Sequence, residues 1–218
     1  MPPTTLVGPS WRTAEFDVPA YLESIGLASA GGPGPSLEPT SEVLSEVHSA
    51  HVRTLPFANV DVLLGQHPGI APVTVHDQLV RRRRGGYCFE HTQLFAAALE
   101  YVGFTFRRAL GRVRDVAGSR THMTVVVRLD GREVLCDPGF GFSITSPIEL
   151  RAGATQEVAG REFRIERWNV AGVGTWALTR EGALEHVHDD LPVQPVDVTM
   201  GHLMTSTGAD SPSGITSW

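Results

Sequence analysis

The stretch Arg81-Arg82-Arg83-Arg84-Gly85-Gly86-Tyr87-Cys88-Phe89-Glu90-His91 sets a glycine pair and then a lone cysteine where a new helix begins. Beyond it, Phe95, Leu99 and Val102 recur at i, i+4 and i+7. That spacing predicts a helix from about Cys88 to Val102 with one face on a core. Gly103 is a natural stop for it. The character of the chain changes on either side of this helix, so its reading decides the fold.

Upstream the periodicity is helical. Phe16 to Ile25 reads as a short amphipathic helix that Asp17 can cap, with Tyr21, Leu22 and Ile25 facing in. Ala28 to Pro39 is rich in Gly, Ser and Pro and reads as a loop. Thr40 or Ser41 can cap a second helix that runs to about Thr54, with Val43, Leu44 and Val47 as its buried stripe. Pro56 ends it. Phe57 to Leu64 is apolar and extended or irregular, and Val75 to Arg83 reads as helix with Leu79 and Val80 inward.

Downstream, Arg107 to Val116, Thr121 to Leu129, Glu133 to Asp137, Arg161 to Trp168 and Thr175 to Thr179 read as strands separated by Gly-containing turns. Helices first and an antiparallel sheet second predict an α+β fold. The expected division is a helical domain over 1–103, an antiparallel β domain over 104–191, and a C-terminal region over 192–218. Periodicity is weak from Pro192, and Ala209 to Trp218 reads as a frayed end. There is no internal repeat.

Composition narrows the class. The 218 residues carry a net charge of -6, which argues against nucleic acid as the main partner. No apolar run is long enough to span a bilayer, so no membrane role is expected. The start Met1-Pro2-Pro3-Thr4-Thr5 lacks a signal peptide's pattern, which makes the cytoplasm the expected location. All 18 basic side chains are arginine, a composition that fits a GC-rich genome. Cys88 and Cys136 are the only cysteines. That count fits a reducing compartment, and without a C-x-x-C pair it gives no support to a structural zinc site.

A free cysteine is ordinarily a small packing hydrophobe. Cys88 differs because a helix N-terminus favours its thiolate and the preceding glycines allow close backbone approach. The downstream hairpin adds two partners. Asp130-Gly131 is a strong two-residue turn signal. A tight turn pairs Leu129 with Arg132, sets Thr124 opposite Asp137, and leaves His122 on the same face as Asp137, one diagonal step away. Nucleophile, base and orienting carboxylate are what thiol acyl transfer needs. Register alone does not bring Cys88 to the other two.

Three segments then carry a family resemblance. Arg-Arg-Gly-Gly-Tyr-Cys-Phe-Glu (83–90), Thr-His-Met (121–123) and Asp-Pro-Gly-Phe-Gly (137–141) are similar to the signature segments of the arylamine N-acetyltransferases. Phe16-Asp17, Tyr21-Leu22, Ile25-Gly26 and Leu55-Pro56-Phe57-Ala58-Asn59 resemble that family too, and the match runs from about residue 16 to 213. The resemblance implies a papain-like triad of Cys88, His122 and Asp137 within a helical bundle followed by an antiparallel barrel or sheet. It implies a ping-pong reaction that passes an acetyl group from acetyl-CoA to Cys88 and on to an arylamine or hydrazine. The main-chain N–H of Cys88 is the candidate oxyanion donor. By position Phe57 and Phe140 match pocket aromatics, Phe142 joins them as a third candidate, and Gly139 and Gly141 match the loop near the pantetheine arm. No metal is implied.

The chain departs from the family at three points. Ala58 stands where the family has a Glu that pairs with the arginine before the glycines. Arg84, given a structural role near the site, therefore needs another acid or stays solvated. Ser213 replaces a pocket aromatic in Thr205-Ser206-Thr207 to Asp210-Ser211-Pro212-Ser213. The family also continues beyond the position of Trp218, so the C-terminal lid domain is expected to be largely absent and the site more open.

These departures keep other readings in view: an amide synthase taking a polyketide chain from an acyl carrier protein, a cysteine hydrolase, and a binding protein without turnover. Among the remaining residues, His186 and His188 before Asp189-Asp190 could ligate a metal but read better as solvated loop groups. Cys136 reads as core, and Trp168 and Trp176 as packing residues of a second sheet. Glu90 suits the first turn of the nucleophile helix but would oppose a thiolate if it faced Cys88.

Overall fold

The computed structural model describes residues 10–27 and 38–207. The expected loop from Ala28 falls largely outside these residues, and the segment around Ser213 wholly so. Elements follow the order α1 (Val18–Ser24), α2 (Ser41–Thr54), α3 (Val60–Leu63), α4 (Pro72–His76), α5 (Cys88–Val102), eight strands, then α6 (Pro195–Thr207). Caps fall where the residue types put them. Asp17 accepts from the Ala20 N–H at 3.1 Å, and Thr40 from the Val43 N–H at 3.3 Å. Gly103, at φ 97°, closes α5 in the left-handed conformation that glycine tolerates best.

The strands are β1 (Thr105–Val113), β2 (Arg120–Leu129), β3 (Arg132–Cys136), β4 (Ile148–Glu149), β5 (Thr155–Val158), β6 (Arg161–Val170), β7 (Val173–Arg180) and β8 (Ala183–His188). They form one antiparallel sheet in the order β4-β3-β2-β1-β8-β7-β6-β5. The expected second sheet is therefore the far half of the first, joined through β8, and Trp168 and Trp176 lie half-buried on it. Val126, Leu135 and Ile148 from one half share a core with Phe163, Ile165 and Leu178 from the other, so the sheet curls on itself.

α5 is buried almost all round. Leu94, Phe95 and Leu99 pack with Tyr21 and Leu22 of α1, Leu44 and Val47 of α2, and Val125 and Val127 of β2. The helix is thus clamped between the helical layer and the sheet. This fixes its first residue, Cys88, against the strand that carries His122.

Two expectations change. Phe57 to Leu64 contains α3 rather than being wholly irregular, and Phe57 makes a bridge to Gly86. The helix expected over Val75 to Arg83 begins at Pro72 and ends through a wider π-helical turn, Asp77–Arg81.

Candidate active site

The hairpin forms in the register that its turn dictates. Leu129 pairs with Arg132 and Val125 with Cys136, which leaves Thr124 level with Asp137. Asp130 and Gly131 have φ of 50° and 75°, the two positive values that a tight turn of this hand requires. His122 and Asp137 consequently meet: Nε2 donates to Oδ1 at 2.8 Å, with both residues buried. Ser143 donates to Oδ2 at 3.1 Å, and the Asp137 main-chain N–H donates to Nε2 of His48 at 3.1 Å. Burial alone would raise the Asp137 carboxyl, but His122, helped by His186, holds it well below the usual carboxylate range.

Cys88 opens α5 and is itself buried. Its thiol donates to the carbonyl of Thr121 at 3.4 Å. Burial pushes this thiol up to about 12, with main-chain N–H groups of Met123 and Phe89 acting the other way and the charges of Asp137 and Glu90 adding to the rise. The main chain on either side of His122 therefore lies against the sulfur. A Cβ at Gly139 would come 2.8 Å from the Cys88 Cα. The loop after Asp137 thus packs directly on the nucleophile helix. Topology brings together what turn register alone could not.

Around this centre the other sequence candidates separate. Phe140 is buried edge-on to His122 at 4.9 Å between centroids. Phe57 is half-buried and joins the apolar cluster of Cys88, Tyr87, Phe89, Leu110 and Met123. Phe142 lies elsewhere, against Phe163 and beneath the Arg180 guanidinium at 5.2 Å. Gly141 follows Phe140 with φ of 87°. Arg84 does find another acid: it pairs with Asp61 at 3.1 Å, and Gln78 donates to the second oxygen of that carboxylate at 3.2 Å. Cys136 is fully buried, in core as read.

Glu90 is buried and closes the helix start by accepting from the Tyr87 N–H at 3.0 Å. His67 approaches the same oxygen at 3.2 Å. Tyr87 in turn hydrogen-bonds His202 of α6.

His186 and His188 correct the sequence reading. They are not solvated loop groups; both are buried on β8. His186 Nε2 lies 3.2 Å from Asp137 Oδ2, outside hydrogen-bonding geometry, and its ring packs on His122 at 4.8 Å. Strand spacing put the two histidines on one face, but nothing local showed that the face was an inner one.

A chain of rings was also missed. Tyr21 O–H meets His51 Nδ1 at 2.7 Å, His51 Nε2 meets His91 Nδ1 at 2.7 Å, and His91 Nε2 lies 3.1 Å from the Gly86 carbonyl and 3.3 Å from that of Pro56. Carbonyls only accept, so His91 Nε2 carries a proton and Nδ1 does not. His51 Nε2 then donates, and Tyr21 donates to its Nδ1. Every proton is assigned, with both imidazoles neutral. The places of His91, three residues after Cys88, and of His51 on α2 were the available signals, but neither points to a partner 40 residues away.

A buried thiol at a helix start thus lies beside a His–carboxylate pair on an antiparallel sheet. The N-acetyltransferase family matches residues 40–200, and the chain belongs to that family. Among curated relatives, the arylamine N-acetyltransferase of Mycobacterium tuberculosis is 36% identical over 161 residues, 69% of this chain and 55% of the relative. The arylamine N-acetyltransferase / N-hydroxyarylamine O-acetyltransferase of Salmonella typhimurium is 37% identical over 132 residues, 58% of this chain and 47% of the relative. The chain spans about half the length of such relatives. In three dimensions it resembles the arylamine N-acetyltransferase of Mycobacterium abscessus, with a TM-score of 0.84 at 30% identity, covering 93% of this chain and 73% of that one. The Mycobacterium marinum enzyme in complex with CoA matches with a TM-score of 0.75 at 29% identity, over 89% of this chain and 73% of that one.

Among the described residues no helix is long and apolar enough to cross a membrane.

Proposed function

We propose that the protein is an arylamine N-acetyltransferase that uses Cys88, His122 and Asp137 as its triad. The observation that carries this reading is the His122–Asp137 hydrogen bond at 2.8 Å on the strand whose main chain lies against the Cys88 sulfur. Acetyl-CoA and an arylamine or hydrazine are the substrates, by analogy with the relatives and with the CoA complex of a structural neighbour. The cytoplasm is the expected compartment.

The steps follow from the groups present. A buried thiol is a poor nucleophile, and a nearby cation adds to the main-chain N–H groups in offsetting the cost of its thiolate. His122 takes the thiol proton and becomes that cation, and Asp137, already anionic, stabilises it. The thiolate attacks the thioester carbonyl of acetyl-CoA, and the developing oxyanion meets the main-chain N–H of Cys88 at the helix start. The C–S bond to CoA breaks and His122 returns its proton to the departing thiolate. The amine then attacks the Cys88 thioester, loses a proton to His122, and leaves as the amide. Phe140 and Phe57 are the proposed walls of the acceptor site, and Gly141 lies on the proposed pantetheine side. Gly139 serves close packing, since Cys88 fills the space beside it. Residues 192–218 correspond to the start of the lid region.

Intact-mass analysis after incubation with acetyl-CoA tests this. One acetyl adduct, lost in Cys88→Ala, is expected, and an arylamine should discharge it. No adduct from any acyl-CoA would overturn the reading. An adduct only from a carrier-bound polyketide mimic would assign the protein to the amide synthases instead, and discharge that ignores the amine would make it a hydrolase.

A further inference from the structure

The acyl-transfer scheme leaves one buried ring at the centre without a task. His186 is fully buried; its Nδ1 has no hydrogen-bond partner, and its Nε2 meets Asp137 only as a 3.2 Å contact outside good hydrogen-bonding geometry. Leaving such atoms unmade is costly, and native interiors rarely do so without a reason. The ring is also aimed. Its Nε2 lies 3.2 Å from Asp137 Oδ2, while His122 Nε2 lies 2.8 Å from Oδ1. One donor atom from each of the three residues falls within 4.8 Å of the others.

We propose that His122, Asp137 and His186 form a binding site for a transition-metal dication of the zinc class, and that its occupancy switches the thiol off. Two imidazoles and a carboxylate suit such an ion, and three protein ligands leave a coordination position open. Alkaline-earth ions prefer an all-oxygen set and would be rejected.

The proton balance is favourable. An aspartate is an anion at neutral pH and needs to lose no proton to ligate. His186 moves its proton from the Nε2 that faces Asp137 Oδ2 to Nδ1, which has no partner holding it otherwise, a change of tautomer with no net loss. His122 gives up the Nε2 proton that now faces Asp137 and takes one on Nδ1, a change of tautomer with no net loss. That tautomer is also the reason for inhibition. With Nε2 on the metal and Nδ1 protonated, His122 has no lone pair left to accept the thiol proton.

The test uses tag-free, chelator-treated protein and Co2+ alone as the probe. Wild type should show the visible ligand-field absorption of a bound cobalt ion at one equivalent. In water, its proton NMR spectrum should show two exchangeable, strongly shifted ring N–H signals, one from each histidine. Cys88→Ala should keep both features. His186→Gln should weaken binding by more than about tenfold, since even outer-shell partners of metal ligands are worth that much. Zn2+ should slow alkylation of Cys88 by iodoacetamide in wild type and lose that effect in His186→Gln.

Absence of the cobalt band, its loss in Cys88→Ala, or its survival unchanged in His186→Gln would each overturn the proposal; the second would put the ion on the thiol. If His186→Gln does not fold, the wild-type spectrum decides, because fewer than two shifted rings excludes the site. None of these readouts passes through acyl transfer, so they stand or fall separately from the acetyltransferase reading.

Discussion

Gly139 is small because two other elements occupy the space beside it. A Cβ there would sit 2.8 Å from the Cys88 Cα, 2.9 Å from the His91 Cβ and 3.2 Å from the Cys88 carbonyl oxygen. Two of those atoms are main chain of a clamped helix and cannot step aside, so the loop that follows Asp137 must move. We expect Gly139→Ala to destabilise the protein by about 1–3 kcal/mol, the usual range for overpacking. It should also slow iodoacetamide alkylation of Cys88, because Asp137 moves with the loop. Thermal denaturation and the alkylation rate measure the two effects, and an unchanged rate would show that the loop does not set thiol reactivity. His122→Ala tests the other partner. Burial pushes the lone thiol up to about 12, so without the imidazole its alkylation should fall sharply at neutral pH and recover only in alkali. A rate profile matching wild type would contradict the proposed pair. The meeting of His122 with Asp137 was legible, because a two-residue turn fixes register and register fixes faces, whereas Cys88 stood out only by its place at a helix start. His186 was not, because its partner is set by the sheet's closure through β8.

Elements were legible in proportion to how local their signals are. The bounds of α5 came directly from apolar spacing and Gly103. β8 stayed hidden because it carries polar groups at its buried positions. Glu185 is almost fully buried, yet it pairs with Arg114 of the turn after β1 at 3.2 Å and with Arg180 of β7 at 2.6 Å. A strand whose inner face is charged has no hydrophobic alternation to read. β4 is too short, at two residues, to show any. The nucleophile turn has a comparable long-range dependence. Tyr21 of α1 and His51 of α2 reach it through His91, whose Nε2–H holds the carbonyls of Pro56 and Gly86. Tyr21→Phe keeps the ring packing and leaves the buried His51 Nδ1 without its donor. The expected cost is about 1–3 kcal/mol in urea denaturation. Loss of the whole chain, in His91→Ala, should also reduce Cys88 alkylation because the glycine turn is then unheld. A Tyr21→Phe protein as stable as wild type would mean that water replaces the hydroxyl and that the chain is not a structural tie.

Across the whole molecule the buried histidines set how the fold answers to acid. His48 accepts the Asp137 main-chain N–H, and His91 Nδ1 accepts from His51, so protonating either would set two donors face to face. Burial lowers both, each to about 4. The unfolded chain offers imidazoles at their ordinary value near 6.5 and so binds more protons between those limits. Stability therefore rises with pH through this window and is lost as pH falls from 6.5 towards 4. Each residue contributes a slope of about 1.4 kcal/mol per pH unit, and the pair about 3. A domain of ordinary stability holds only about 5–15 kcal/mol, so most of the margin disappears before carboxylates titrate. Asp137 acts in a separate, lower window, since its depressed carboxyl is felt only as pH falls below the unfolded value of 3.8. Urea denaturation at several pH values between about 7 and 5 should show the midpoint falling steeply. His48→Gln keeps an acceptor for the Asp137 N–H but has no proton to gain, so its slope should be shallower by about 1.4 kcal/mol per unit. A flat profile across that range would mean that both imidazoles can be charged within the fold, and would remove the fixed proton order on which the neutral ring chain depends.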